Sequence, residues 1–201
     1  MAIEAVVACA ESEQAISRMD GFEARLRALF PAIGMLHPEG GSGDVSLAHV
    51  LQTAALALQA QAGCPVTFAR TTATIDPGVY QVVVEYSEEA VGRQAFEDAQ
   101  RLINAALGQG DFDAEAAIAN LRELDEDERL GPSTGSIVEA AVARGIPYRR
   151  LTRGSLVQFG WGSKQRRIQA AEVDSTSAVA ESIGQDKDLT KRLLHAAGVP
   201  V

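Results

Sequence analysis

The sequence has 201 residues, which is enough for one globular domain of ordinary size and a second small unit. Hydrophobic residues make up 46% and charged residues 22%, both ordinary values for a globular protein. The formal net charge of -9 argues against nucleic acid as a partner, because phosphate binding needs a basic face. No apolar run approaches the roughly 20 residues that span a bilayer, so no membrane association is expected.

The amino terminus and the cysteines both indicate a cytoplasmic protein. The first ten residues lack the basic region of a signal peptide. Cys9 and Cys64 are the two cysteines, too few for a disulfide framework in a chain of this length, and buried thiols are expected.

The first two thirds of the chain are predicted to contain both helices and strands. A strand is expected at 2–9, a helix at 12–30 that ends at Pro31, and a loop over the HPEGGSG segment at 37–43. Asp44 or Ser46 caps the next helix, and Gly63 ends it. The later elements are two strands joined by an Asp-Pro-Gly turn and two further helices, at 66–72, 80–86, 88–107 and 114–124.

The acidic run ELDEDER at 123–129 indicates a solvated helix end or a linker. A helix follows the LGPSTGS segment, and shorter elements then close the chain. These are two extended stretches, a turn, a returning strand and two helices, at 148–151, 155–159, 161–164, 166–171, 175–184 and 186–197.

Strands and helices are mixed without strict alternation, which favours an α+β fold over a doubly wound sheet. We expect a small mixed or antiparallel sheet packed with helices, followed by a hairpin and two helices. The domain boundary is placed near residue 150, which gives domains of 1–150 and 151–201.

Ser133 begins a predicted helix within the segment Ser-Thr-Gly-Ser. Free backbone N–H groups and hydroxyls meet at such a helix start, so the segment could hold a carboxylate or a phosphate. Ordinary helix capping by Ser and Thr explains the same residues.

His49 lies on the predicted helix 46–62 in the segment His-Val-Leu-Gln-Thr. An inverted zinc-hydrolase motif, His-x-x-Glu-His, needs a second histidine four residues on and a glutamate that activates water. Gln52 and Thr53 occupy those two positions. A structural or buried histidine is therefore expected, with no metal held.

Lys164, Arg166 and Arg167 cluster around the predicted turn at 160–165. A local basic patch in an acidic chain could meet an anionic group. A solvated hairpin tip explains the same pattern.

Several blocks of the sequence resemble cyanophycin synthetase. They are AGCPVTFARTTATIDPGVYQVVVEYSEEAVG in the first part, and LGPST, QFGWGSKQRRI and DKDLTKRLLHAAGVPV in the second. The resemblance covers about residues 45–201. That family uses ATP to polymerise aspartate and arginine into a storage polymer, cyanophycin, with an amino-terminal domain, an ATP-grasp domain and a Mur-ligase-like domain.

The resemblance implies that this chain holds the amino-terminal polymer-binding domain and, from residue 151, the truncated start of the ATP-grasp domain. The chemical centre would then lie beyond Val201, together with the residues that bind ATP and Mg²⁺. The expected role is to tether and position the polymer, with the downstream ligase domains as partners. No cofactor and no ligase activity are expected for these residues alone.

The resemblance also implies substrate-binding residues. Ser133 matches the serine of LGPST, and Glu181 and Ser182 match a Glu-Ser pair on a helix, both of which grip the end of the polymer. Arg70 is a separate prediction that the resemblance does not supply: from its place on a strand it is proposed to contact polymer, with an ion pair inside the fold as the alternative.

Some family members carry the segment HVVEHVALELQ, which resembles a metal-hydrolase site that cleaves the polymer. This chain has HVLQTAALALQ instead, so Gln52 and Thr53 replace the glutamate and the second histidine of that site. His49 and Glu85 would be vestigial metal ligands, and no hydrolase activity is expected. The alternatives to a tethering domain are a stand-alone binding protein derived from the ligase and a degenerate metallohydrolase.

Overall fold

The computed structural model describes residues 1–37, 44–170 and 172–200. Most of the loop predicted at 37–43 lies outside these residues. The chain divides into two compact units, Met1–Arg129 and Leu130–Val201. The domain boundary placed near residue 150 stays a prediction.

The first unit contains four α-helices among its described residues. Their bounds are Phe22–Leu29 (α1), Leu47–Ala62 (α2), Glu89–Ala106 (α3) and Ala114–Glu128 (α4). The capping of α2 follows from the sequence, because Ser46 precedes it in extended conformation and Gly63 ends it in the left-handed conformation (φ 97°) that glycine adopts without strain.

A three-stranded antiparallel sheet lies beside these helices. Its strands are Ala2–Ala8 (β1), Ala69–Ala73 (β2) and Val79–Glu85 (β3), with β3 in the centre. Alternate residues of β3, Val82 and Val84, are buried, as the two-residue period of a half-covered strand requires. The sheet therefore has one face on the helices and one open face.

The core of the first unit lies between the covered sheet face and the helices. Fully buried side chains from five elements and from the turn after α1 form its centre. They include Phe22, Leu26, Phe30, Leu58, Val82, Leu102 and Leu121. This core fixes the positions of α2 and β3, which carry His49 and Glu85.

The helix predicted at 12–30 is wrong in its first half. Residues 11–18 form two short 3₁₀ turns, and α1 begins only after Gly21, whose φ of 64° an α-helix cannot contain. A second difference is that α4 continues to Glu128, beyond the predicted end at 124, so the acidic run is a helix end, the first of its two interpretations.

The second unit is built around a four-stranded antiparallel sheet in the order β4-β5-β6-β7. A helix, Pro132–Val142 (α5), precedes the strands, which span Tyr148–Arg150, Leu156–Phe159, Arg166–Gln169 and Glu172–Val173. Val138 of α5 packs with Val157 and Ile168 of the two central strands. The helix therefore covers one face of this sheet.

Two helices follow, Ala178–Gln185 (α6) and Lys187–Ala196 (α7). Neither contains a buried residue among those described, and Val179 and Leu193 are 69% and 46% exposed. The α+β prediction is confirmed, including the antiparallel sheet, the hairpin and the two helices. Among the described helices, none has the length and apolar character needed to cross a membrane.

Candidate functional site

His49 lies in the first turn of α2, where its ring caps the helix. Its Nδ1 atom accepts hydrogen bonds from the backbone N–H of Ser46 (3.3 Å) and is 2.8 Å from the Ser46 hydroxyl. The ring also packs edge-on against Tyr80, with 5.6 Å between centroids. Burial lowers the pKa of His49, so the neutral ring is favoured.

The bond from Ser46 determines which ring nitrogen carries the proton. Because Nδ1 accepts from a backbone N–H, the neutral ring has its hydrogen on Nε2. Neither nitrogen then offers a free lone pair to a metal. The capping geometry thus gives His49 a structural role.

Gln52 and Thr53 are also occupied by the scaffold. The Gln52 side-chain oxygen accepts from the hydroxyl of Thr71 on β2 at 2.8 Å. The Thr53 hydroxyl donates to the His49 carbonyl oxygen at 2.9 Å, one helical turn back. Neither side chain supplies the general base or the imidazole ligand of a zinc hydrolase.

A cavity of about 180 Å³ lies beside these residues. His37 contributes to its wall, but the His37 ring pairs with Glu23 at 3.2 Å. Over residues 1–37, 44–170 and 172–200, no cluster of three or more histidine, cysteine, aspartate or glutamate side chains is placed to hold a metal.

Glu85, the second residue predicted as a vestigial ligand, lies at the end of β3 on the open side of the sheet. Its Oε2 accepts the backbone N–H groups of Thr67 (2.7 Å) and Phe68 (2.8 Å). These two bonds lower the pKa of Glu85. Tyr80, which contacts His49, lies five residues away on the covered face, so the fold does not bring Glu85 and His49 together.

Arg70 projects from β2 on the open face of the first sheet. The strand register places it opposite Val83, and Glu4 of β1 lies opposite Val83 on the other side. The three residues form a row across the sheet, which we call the Glu4–Val83–Arg70 row. Two strand spacings separate the outer backbones, about 10 Å.

The open face combines these charges with exposed apolar side chains. Val6 and Phe68 are 73% and 52% exposed. Within the described part of the chain, Arg70 forms no ion pair, and Glu4 bonds to the side-chain amide of Gln81. An apolar surface with an available cation suits an extended ligand that carries carboxylates.

Ser133 lies in the first turn of α5, directly after Pro132. Proline suits this position because it has no N–H to leave unpaired and its φ matches a helix. The Ser133 side chain is exposed, and Ser136 donates its hydroxyl to the Pro132 carbonyl oxygen at 2.9 Å. Ser133 therefore stands at a helix end that favours an anion.

Glu181 and Ser182 are neighbours on α6. Glu181 accepts from the side chain of Gln185 at 2.8 Å, and Ser182 is exposed. Burial and a hydrogen bond with the Glu181 carboxyl raise the pKa of Glu172, on β7. Glu172 was not predicted, because only the fold brings this strand next to α6.

The predicted binding residues are thus distributed over both units. Glu181 and Ser182 are adjacent, Ser133 belongs to the same unit, and Arg70 belongs to the first unit. Sequence reasoning missed Glu4, which shares a row with Arg70. Its only signal is strand alternation, which does not give the register with a strand some 80 residues later.

The chain is similar to one known family and to several named proteins. The family model of the cyanophycin synthase-like N-terminal domain matches residues 5–108. Cyanophycin synthetases of Trichormus variabilis (strain ATCC 29413 / PCC 7937) and Nostoc sp. (strain PCC 7120 / SAG 25.82 / UTEX 2576) are each 42% identical over 158 residues. The enzyme of Geminocystis herdmanii (strain PCC 6308) is 39% identical over the same length.

The chain belongs to the cyanophycin synthase-like N-terminal domain family. Its family resemblance, predicted from the sequence blocks, is confirmed. Each of the three alignments covers 77% of this chain and 18% of the relative, so the chain spans less than a fifth of the length of those synthetases.

Proposed function

We propose that this chain is the amino-terminal part of an ATP-dependent ligase that polymerises aspartate and arginine into cyanophycin. Its own role is to tether the polymer and position its growing end. Family membership and the names of three relatives support this assignment.

The Glu4–Val83–Arg70 row is the observation that carries the tethering role. In a polymer with arginine joined to the aspartate side chain, every unit keeps one free carboxylate and one guanidinium. The row offers a cation and an anion about 10 Å apart on either side of an apolar residue. Arg70 pairs with a polymer carboxylate in this arrangement, and Glu4 with a guanidinium.

The second unit supplies the contacts for the growing end. The hydroxyl of Ser133 and the N–H groups of the first turn of α5 bind the terminal carboxylate. Glu181 faces an arginine side chain, and Ser182 adds a hydroxyl beside it. Because these are binding groups without an activated nucleophile or base, they hold the substrate and leave the chemistry to other residues.

In the proposed full-length ligase, downstream ligase domains with bound ATP and Mg²⁺ supply the chemistry. The exposed apolar residues Val179 and Leu193 support such a partner, because no described residue of α6 or α7 is fully buried. The 201 residues alone are therefore expected to have no ligase activity.

The test is a titration of the 201-residue chain with short aspartate–arginine oligomers, followed by backbone amide NMR shifts. We expect shifts in β1, β2 and β3 around Val83 and a second set at Ser133 and in α6. Arg70→Gln should weaken the first set about fivefold or more, because a charge-assisted bond is lost.

Arg93→Gln is the matched control, because Arg93 is exposed on α3 and, among the described residues, pairs only with Glu89. The same charge is removed there without touching the row. Equal effects of the two substitutions, or shifts confined to residues outside the open sheet face, would overturn the tethering proposal.

A further inference from the structure

The basic residues of this acidic protein are concentrated in one stretch of the second unit. Residues 140–171 contain seven basic residues and no acidic one, although the whole chain has a net charge of -9. The first unit has eight basic and 21 acidic residues, a net charge of -13, and the second has ten basic and six acidic, a net charge of +4. This difference predicts different ligands for the two units.

The four-stranded sheet brings two of these cations into one row. Arg149 of β4 and Arg167 of β6 both lie opposite Gln158 of β5, one on each side. Paired residues of antiparallel strands share a face, so the two arginines project from the same face, about 10 Å apart at their backbones. We call this the Arg149–Gln158–Arg167 row.

The row lies on the face opposite α5. The adjacent row of paired residues, which contains Arg150, Val157 and Ile168, belongs to the other face, where Val157 and Ile168 pack against Val138. Arg149 and Arg167 are both exposed, whereas Gln158 between them is buried. Arg166, the sequence neighbour of Arg167, lies on the α5 side, so the basic pair is made by the sheet and not by adjacent residues.

Neither arginine of the row is neutralised by an ion pair in the part of the chain that the structure describes. Two carboxylates lie near Arg167. Asp174 accepts the backbone N–H of Arg167 at 3.3 Å, and Glu172 lies opposite Gln169, the next residue of β6 on the same face as Arg167. Glu172 interacts with Glu181, so these acids have other partners than the two guanidinium groups.

We propose that the Arg149–Gln158–Arg167 row is a binding site for an oxyanion of an extended ligand, a carboxylate or a phosphate. Two planar guanidinium groups on one face grip such a group bidentately, and each side chain is long enough to reach over Gln158. The carboxylates of an aspartate–arginine chain and the phosphates of a nucleotide are the two sources of this chemistry. The site is separate from the proposed tether in the first unit.

The experiment measures binding of two probes to the 201-residue chain by isothermal titration calorimetry, at low and at physiological salt. One probe is inorganic tripolyphosphate and the other is a short aspartate–arginine oligomer. Arg149→Gln and Arg167→Gln are each expected to weaken at least one probe about fivefold. Arg153→Gln, which removes one exposed charge from a loop of the same unit, is the control and is expected to stay within about twofold.

The two probes distinguish a phosphate ligand from a carboxylate ligand, and they also separate this proposal from the tether proposed in the first unit. An effect on tripolyphosphate alone assigns the row to a phosphate ligand, and an effect on the oligomer alone assigns it to carboxylates. Failure of Arg70→Gln to weaken the oligomer affects the tether only, because tripolyphosphate still reports on the row. Equal behaviour of Arg149→Gln, Arg167→Gln and Arg153→Gln with both probes, or no binding of either, would overturn the site.

Discussion

The ring of His49 accepts the backbone N–H of Ser46, three residues before it, and so closes the first turn of α2. Glutamate or glutamine normally fills this position of a capping box. The histidine at the place of the first metal ligand therefore stabilises a helix end.

The first prediction concerns pH. Because burial lowers the pKa of His49, the unfolded chain takes up a proton below about pH 6.5 that the folded chain resists, and stability falls as the pH falls. His49→Gln keeps an acceptor for Ser46 but does not titrate. Between about pH 7.5 and about pH 5, the free energy of unfolding in urea should therefore fall less for His49→Gln than for the unsubstituted chain.

His49→Ala is the control for capping, since it removes both the acceptor and the titration. It should lower stability at every pH, by about 1 kcal/mol for a lost cap. Identical pH profiles for the unsubstituted chain and His49→Gln would contradict the assignment of a buried neutral ring.

The second prediction concerns zinc. With Nδ1 engaged and Gln52 and Thr53 bonded to the scaffold, added zinc should change the melting temperature by less than about 1 °C. Zinc should also produce no cleavage of the aspartate–arginine polymer. A zinc-dependent rise in melting temperature that His49→Ala abolishes would show that a metal site survives.

The third prediction concerns Glu85, whose carboxylate holds the chain just before β2 through two backbone N–H groups. Since its pKa is lowered in the fold, its contribution is present above about pH 4.5 and is lost as the pH falls further. Glu85→Gln should lower the melting temperature at pH 7, and the difference should close in acid. Glu89→Gln, which affects an exposed pair with Arg93, is the control and should have little effect.

The fourth prediction concerns Gly92, buried in the first turn of α3. A Cβ atom there would lie 2.6 Å from Cβ of Tyr86 and 3.3 Å from Cδ1 of Ile3. Gly92→Ala should therefore lower the unfolding free energy by about 1–3 kcal/mol despite alanine's better helix propensity. A Cβ atom added at Gly135, in α5, would contact only a carbonyl oxygen at 3.7 Å. For Gly135→Ala, the free energy of unfolding measured by chemical denaturation should therefore stay the same or rise.

Local patterns predicted much of the fold. The helix expected at 46–62 is α2, Leu47–Ala62, because Ser46 and Gly63 mark its ends. The helix start at Ser133 was also predictable, since Gly-Pro-Ser-Thr combines an N1 proline with capping residues. The helix over 12–30 failed because its apolar spacing continues across Gly21, where the backbone turns left-handed.

The candidate sites were less predictable, because they depend on strand register. Nothing in the local sequence around Arg70 indicates that Glu4 lies in the same row, and adjacent Arg166 and Arg167 appear as one patch although they lie on opposite faces. The role of His49 was predictable as structural, but the bond from Ser46 that defines its tautomer needs the coordinates.

The unequal division of charge between the two units has a consequence for experiments with salt. Repulsion among the surplus acidic groups of Met1–Arg129, with a net charge of -13, is screened as ionic strength rises, which favours the compact form of that unit. Attraction of an anion to Arg149 and Arg167 is weakened by the same screening. One salt series therefore acts in opposite directions on folding of the first unit and on ligand binding by the second.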